Sequence, residues 1–149
     1  MNNPLNILLA EDDLDDQAFF EKALSELPIS TKLTTVRDGE QLMEYLSANS
    51  GNASSTDILF LDLSMPCKTG VECLVEIKEN AKFKKLQVVM FTCSFTSCIH
   101  FEQHLINTLV SIGADGFIRK PESFNQLKNL IETTLSRIVE KNTIQQQTQ

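Results

Sequence analysis

The chain has no tryptophan and one tyrosine, so its 7% aromatic content is almost wholly phenylalanine. That leaves no stacking platform for nucleic-acid bases. Cations are also scarce: 13 Lys and Arg stand against 20 Asp and Glu, giving a net charge of −7 and a pI near 4.8. This balance disfavours nucleic acid and anionic membrane as direct partners. No apolar run reaches the roughly 18 residues a membrane-spanning helix needs. The first residues, Met1-Asn2-Asn3-Pro4, lack the basic and long apolar regions of a secretory signal, so a cytoplasmic location is expected. The four cysteines, Cys67, Cys73, Cys93 and Cys98, include no C-x-x-C pair and are read as reduced thiols. His100 and His104 share helical i,i+4 spacing but have no third or fourth ligand beside them, and are read as surface residues.

What is present is ordinary globular material. A hydrophobic content of 42% over 149 residues fits one self-sufficient domain. The hydrophobic period alternates between two and 3.6. Strands are expected at 5–10, 32–36, 57–63, 86–91 and 116–118. Helices are expected at 14–27 and 40–46, from 71 onward, at 99–112, and after Ser123. In the first helix Asp13 is a plausible N-cap, and Ala18, Phe19, Ala23 and Leu27 would share the buried face. In the last, Phe124, Leu127, Leu130, Ile131, Leu135 and Ile138 form the stripe. Residues 49–56 are a polar loop, and 142–149 read as a polar, frayed tail after a domain spanning 1–141. Five strands alternating with five helices specify an α/β fold, a doubly wound five-stranded parallel sheet.

Charged groups gather where these strands end. Ile58-Leu59-Phe60-Leu61 runs into Asp62, and Ile7-Leu8-Leu9-Ala10 runs into Glu11-Asp12-Asp13. Thr92 and Lys120 end the fourth and fifth strands. In an open parallel sheet these positions share the edge at which ligands bind. Carboxylates about 4 Å apart repel by roughly 4 kcal/mol per pair at an effective dielectric near 20. A hard divalent cation relieves such a cluster, and oxygen-only ligands suit magnesium. Asp62 could ligate the cation and present a free oxygen as nucleophile. Lys120 would balance anionic charge, and Thr92 would offer a hydroxyl donor. This set is equipment for phosphoryl transfer onto a carboxylate. Asp15 and Asp16 are read more plainly, as charges favoured by the amino end of the first helix.

The motifs ILLAEDDLDD (7–16), LFLDLSMPCKTG (59–70), VVMFTCS (88–94) and GADGFIRKPES (113–123) resemble those of the response-regulator receiver domain, in the family's order over about residues 5–139. The resemblance implies a flavodoxin-like receiver fold and a stand-alone phosphorylation switch rather than a turnover enzyme. It implies that Asp62 is the phosphoacceptor and that Asp12, with Glu11 mostly through water, holds Mg2+. Ser64 would add its backbone carbonyl to that metal. Thr92 and Lys120 would read the phosphoryl group, Phe117 would be the aromatic that swings inward, and Lys120–Pro121 would be a cis peptide. The implied donor is a sensor histidine kinase or phosphotransfer protein, and the output is contact with a protein target.

Three departures from the family concern output and kinetics. The stretch from Thr92 to Gly113 and the 49–56 loop are longer than usual, and Cys93 stands where a smaller residue is common. Phe95, Ile99, Phe101, Leu105, Ile106, Leu109, Val110 and Ile112 are too many apolar groups for one narrow stripe, so the expectation is either an exposed contact surface for a target or a homodimer, or a longer first turn that packs Phe95 and Ile99 back onto the domain. A haloacid-dehalogenase-type phosphatase also uses a strand-end Asp with magnesium. It needs a second Asp two residues later, where this chain has Ser64, and its nucleophile precedes its acidic pair by a wide margin. A phosphorylation-independent adaptor on the same fold is the remaining alternative.

Overall fold

The computed structural model describes residues 4–52, 55–93 and 99–147. The elements follow in the order β1 Leu5–Ala10, α1 Leu14–Ser25, β2 Thr31–Val36, α2 Gly39–Ala48, β3 Ile58–Leu61, α3 Gly70–Glu79, a 3-10 turn Ala81–Phe83, β4 Gln87–Thr92, α4 Ile99–Ile112, β5 Gly116–Arg119 and α5 Phe124–Gln147. All strand pairings are parallel, in the order β2-β1-β3-β4-β5. The expected doubly wound sheet is therefore the observed one.

Both faces of the sheet are covered, which explains why its central strands are apolar without alternation. In β3, Ile58, Leu59, Phe60 and Leu61 are all fully buried. Leu59 and Leu61 join Leu8 and Ala10 under Leu42, Leu46, Leu74, Ile77 and Leu109 of α2, α3 and α4. Ile58 and Phe60 join Ile7 and Leu9 under α1 and α5, where Phe20, Leu24, Ile131 and Leu135 pack. Burying a large aliphatic or aromatic side chain contributes about 1.5–3 kcal/mol, so these two layers hold the strand ends in place.

The buried face of α1 differs from the expected one. Phe20, Ala23, Leu24 and Leu27 point inward, whereas Ala18 is exposed and Phe19 is 55% exposed. Phe20 wins because its ring meets Phe60 and Phe91 edge-on, with centroids 4.9 and 5.5 Å away. Asp13 does cap α1, accepting the Asp16 N–H at 2.9 Å. In α5 the residues Leu127, Ile131, Leu135 and Ile138 are buried, while Leu130 is 40% exposed. The α5 backbone stays helical to Gln147, through most of the segment expected to fray.

The α4 bounds match the expected 99–112. Leu109 is buried, Leu105 and Ile112 pack against the core, and Val110 is 55% exposed. Phe95 and Cys98, and the side chains of Ile99, His100 and Phe101, lie outside the described residues. No helix among the described residues is long and apolar enough to cross a membrane.

Candidate functional site

Because all five strands are parallel, their carboxyl ends share one edge. Register then fixes the neighbours. Ala10 of β1 pairs with Leu61 of β3, so Glu11 and Asp62 emerge side by side. The Asp62 N–H donates to the Ala10 carbonyl at 3.1 Å, and the Glu11 N–H donates to Val36 at 3.0 Å. On the other side, Lys120 N–H donates to the Thr92 carbonyl at 2.8 Å. The chain reverses its direction of travel across the sheet between β1 and β3, and such a switch point is where open α/β sheets bind ligands.

Glu11 is fully buried and Asp62 is 5% exposed, while Asp12 faces solvent. One oxygen from each of Glu11, Asp12 and Asp62 lies within 4.8 Å of the others. An oxygen-only carboxylate set of this size fits a hard divalent cation, and without one it concentrates negative charge. Lys120 supplies the counter-charge. Its Nζ donates directly to Glu11 Oε1, to Asp16 Oδ2 at 2.9 Å and to Asp62 Oδ2 at 3.5 Å. It also stands 5.1 Å from the Phe91 ring centroid. Burial pushes the Glu11 carboxyl up to about 8; the Lys120 bond opposes that shift and the Asp62 carboxyl adds to it. For Lys120, burial alone would lower the ammonium pKa. The bonds to Glu11 and Asp16 and the Asp62 charge outweigh it, so Lys120 is held firmly protonated.

Thr92 is 2% exposed, and its Oγ1 has no hydrogen-bond partner. A buried unpaired hydroxyl costs about 1–3 kcal/mol, so this atom is poised to gain from an incoming acceptor. Ser64 N–H donates to Asp62 Oδ1 at 3.3 Å, which orients the carboxylate. The loop carrying Ser64 is pinned by Gly70, where a Cβ would lie 2.1 Å from the Asp62 carbonyl oxygen and 2.7 Å from Leu63 Cα. Only glycine permits that approach. Phe117 on β5 is partly buried against the α2–α4 side of the core.

One sequence reading needs correction and another is extended. The Lys120–Pro121 bond is trans, since no cis peptide occurs among the described residues. The trans preference before proline is small, about 0.5–1 kcal/mol, and a trans bond already lets Lys120 bond both Thr92 and the carboxylates. Asp16 is a direct partner of Lys120 as well as a helix-terminal charge. No local signal marked this contact: Lys120 is 104 residues away, and a carboxylate in the first turn of a helix is ordinary in its own right.

A family model described as "Response regulator receiver domain" matches residues 7–132. The response regulator Rcp1 of Synechocystis is 36% identical over 95 residues, covering 62% of this chain and 65% of that protein. The two-component response regulator ARR15 of Arabidopsis thaliana is 32% identical over 135 residues, 86% of this chain and 61% of that protein. The matches thus span less than two thirds of either relative. Among solved structures, the phosphorylated cyanobacterial phytochrome response regulator RcpA superposes with a TM-score of 0.75 at 29% identity, covering 89% of this chain and 91% of that one. The Mn(2+)-bound form of Rcp1 gives 0.72 at 26% identity, covering 87% of this chain and 91% of that one.

Proposed function

Because the chain belongs to the response-regulator receiver-domain family of two-component signalling, we propose that it is a phosphorylation switch whose acceptor is Asp62. The observation that carries this reading is the pairing of Asp62, 5% exposed, with both an acidic cluster and a buried ammonium. A carboxylate so placed is nucleophilic, enclosed and matched to a dianionic ligand. Glu11, Asp12 and Asp62, with the Ser64 carbonyl, would hold Mg2+, which when bound neutralises charge on the transferring phosphoryl group. The donor is a phosphohistidine of a sensor kinase or phosphotransfer protein. An Asp62 oxygen attacks phosphorus, the P–N bond breaks, and the imidazole leaves with the electron pair. Hydrolysis by water later returns the carboxylate and inorganic phosphate. The receiver would promote only these two reactions on itself.

Lys120 and Thr92 then read the new charge. A phosphoryl group adds about −1.5 to −2 charge and three acceptor oxygens. Lys120 gains a charge-assisted bond, and the Thr92 hydroxyl gains the partner it lacks. Moving Thr92 towards Asp62 would vacate space on its far side, into which Phe117 would swing. The signal would leave by contact with a protein target.

Incubation with acetyl phosphate and magnesium, followed by intact-mass measurement, tests the assignment. One added phosphoryl group is expected on the native protein and none on Asp62→Asn. Equal labelling of the variant would falsify the acceptor. Native protein that takes no label while still binding its target would favour the adaptor.

A further inference from the structure

Asp16 is the carboxylate in contact with Lys120 that stands outside the cluster of Glu11, Asp12 and Asp62. Its Oδ2 lies 2.9 Å from Nζ, between the shorter Glu11 Oε1 contact and the 3.5 Å of Asp62 Oδ2. An ammonium offers three donors, and Glu11, Asp16 and Asp62 engage all three. Regular structure fixes both partners. Asp16 sits in the first turn of α1, where its N–H is held by the Asp13 cap at 2.9 Å. Lys120 directly follows β5 and is bonded through its backbone to Thr92. The α1 and α5 helices flanking this contact pack in one core layer.

We propose that Asp16 is a positioning residue that occupies one of the three Lys120 donors, so that no more than two fall on Glu11 and Asp62 and the other oxygens of those carboxylates stay open to a divalent cation; this rests on the reading of that cluster as the phosphoacceptor centre. Without Asp16, the released donor turns to the two carboxylates Lys120 already touches. The ammonium then competes with the cation for the same oxygens. A plain helix-terminal role for Asp16 would act through the dipole of α1 and would not pass through Lys120.

The experiment is a double-mutant cycle on magnesium affinity, measured by calorimetry with Asp16→Asn, Lys120→Met and both together. Asp16→Asn is expected to weaken affinity by about three- to tenfold in the native background, and by clearly less in the Lys120→Met background. Asp16→Glu is expected to recover part of the loss, and Asp16→Ser run in parallel guards against one variant that fails to fold. Equal losses in both backgrounds would overturn the proposal, because Asp16 would then act only as a distant charge. In the acetyl phosphate reaction, the defect should fall on the half-saturating magnesium concentration more than on the rate at saturation. A defect confined to the saturated rate would also overturn it. Native protein that takes no phosphoryl group would remove the phosphoacceptor reading, while the calorimetric cycle would still decide what Asp16 does.

Discussion

The two edges of the sheet treat carboxylates in opposite ways. At the amino edge, Asp57 precedes β3 and accepts the Asn6 N–H at 2.8 Å. Asp115 precedes β5 and accepts both the Val88 N–H at 2.8 Å and Lys78 Nζ at 2.9 Å. Each acid there closes the open end of a strand ladder, and the Asp115 charge is matched by Lys78. At the carboxyl edge one ammonium serves Glu11, Asp16 and Asp62, and the Thr92 hydroxyl has no partner. The first edge is satisfied within the fold. The second becomes satisfied only when something else arrives. Sites are commonly kept below the stability their scaffold could reach, and here one sheet displays both conditions.

The largest expected difference between the edges is in pH dependence. Glu11 is raised from 4.5 to about 8 in the fold. Between those values the folded chain holds a proton that the unfolded chain has released, so stability falls as pH rises across that window. Urea unfolding in a chelator, followed by circular dichroism, should show this slope. Glu11→Gln should flatten it, and Asp115→Asn should leave it in place. A native slope of opposite sign would mean that Lys120 outweighs burial at Glu11.

Next in size is the loss of an amino-edge acid. Asp115→Ala strands the Val88 N–H and leaves the Lys78 ammonium with the Leu86 carbonyl at 3.5 Å in place of a carboxylate. A cost of about 1–3 kcal/mol is expected. The contrasting change at the other edge is Asp62→Asn. Lys120 keeps Glu11 and Asp16, and one like charge leaves the cluster, so the metal-free protein should gain about 0.5–2 kcal/mol. Chemical denaturation of both variants in the same buffer checks the pair. Two changes of the same sign would erase the contrast between the edges.

How much of this was legible in the sequence depends on how local each cause is. The strand ends carrying Glu11, Asp62, Thr92 and Lys120 could be read because an apolar run followed by a charge is a local pattern. The bounds of α4 rest on another local pattern, a helical run that stops at Gly113. Phe19 and Phe20 could not be ranked that way, because adjacent aromatics both suit a helical stripe and the deciding rings, Phe60 and Phe91, lie on distant strands. Asp16 was hidden similarly: its partner Lys120 is 104 residues away. The trans bond before Pro121 reflects a small energy difference that residue identity alone does not resolve.

The smallest expected effect lies in the carboxyl-edge loop between β3 and α3. Cys67 has φ +69, a left-handed conformation, and the Lys68 N–H closes a tight turn on the Pro66 carbonyl at 2.8 Å. A Cβ in that region clashes with the following carbonyl, and the Cys67 side chain is exposed and recovers nothing by packing. Glycine removes the clash but enlarges the freedom of the unfolded chain, so the two terms partly cancel. Cys67→Gly should therefore raise stability by only about 0.5–1 kcal/mol. Matched unfolding curves would resolve it. Strain of this kind was not found at a non-glycine residue elsewhere among the described residues, including the amino edge. A gain would thus add backbone conformation to charge and hydroxyl as the third respect in which the carboxyl edge is held off its optimum. A loss would show that Cys67 contributes more to the loop than its exposure indicates, and would leave the contrast between the edges purely electrostatic.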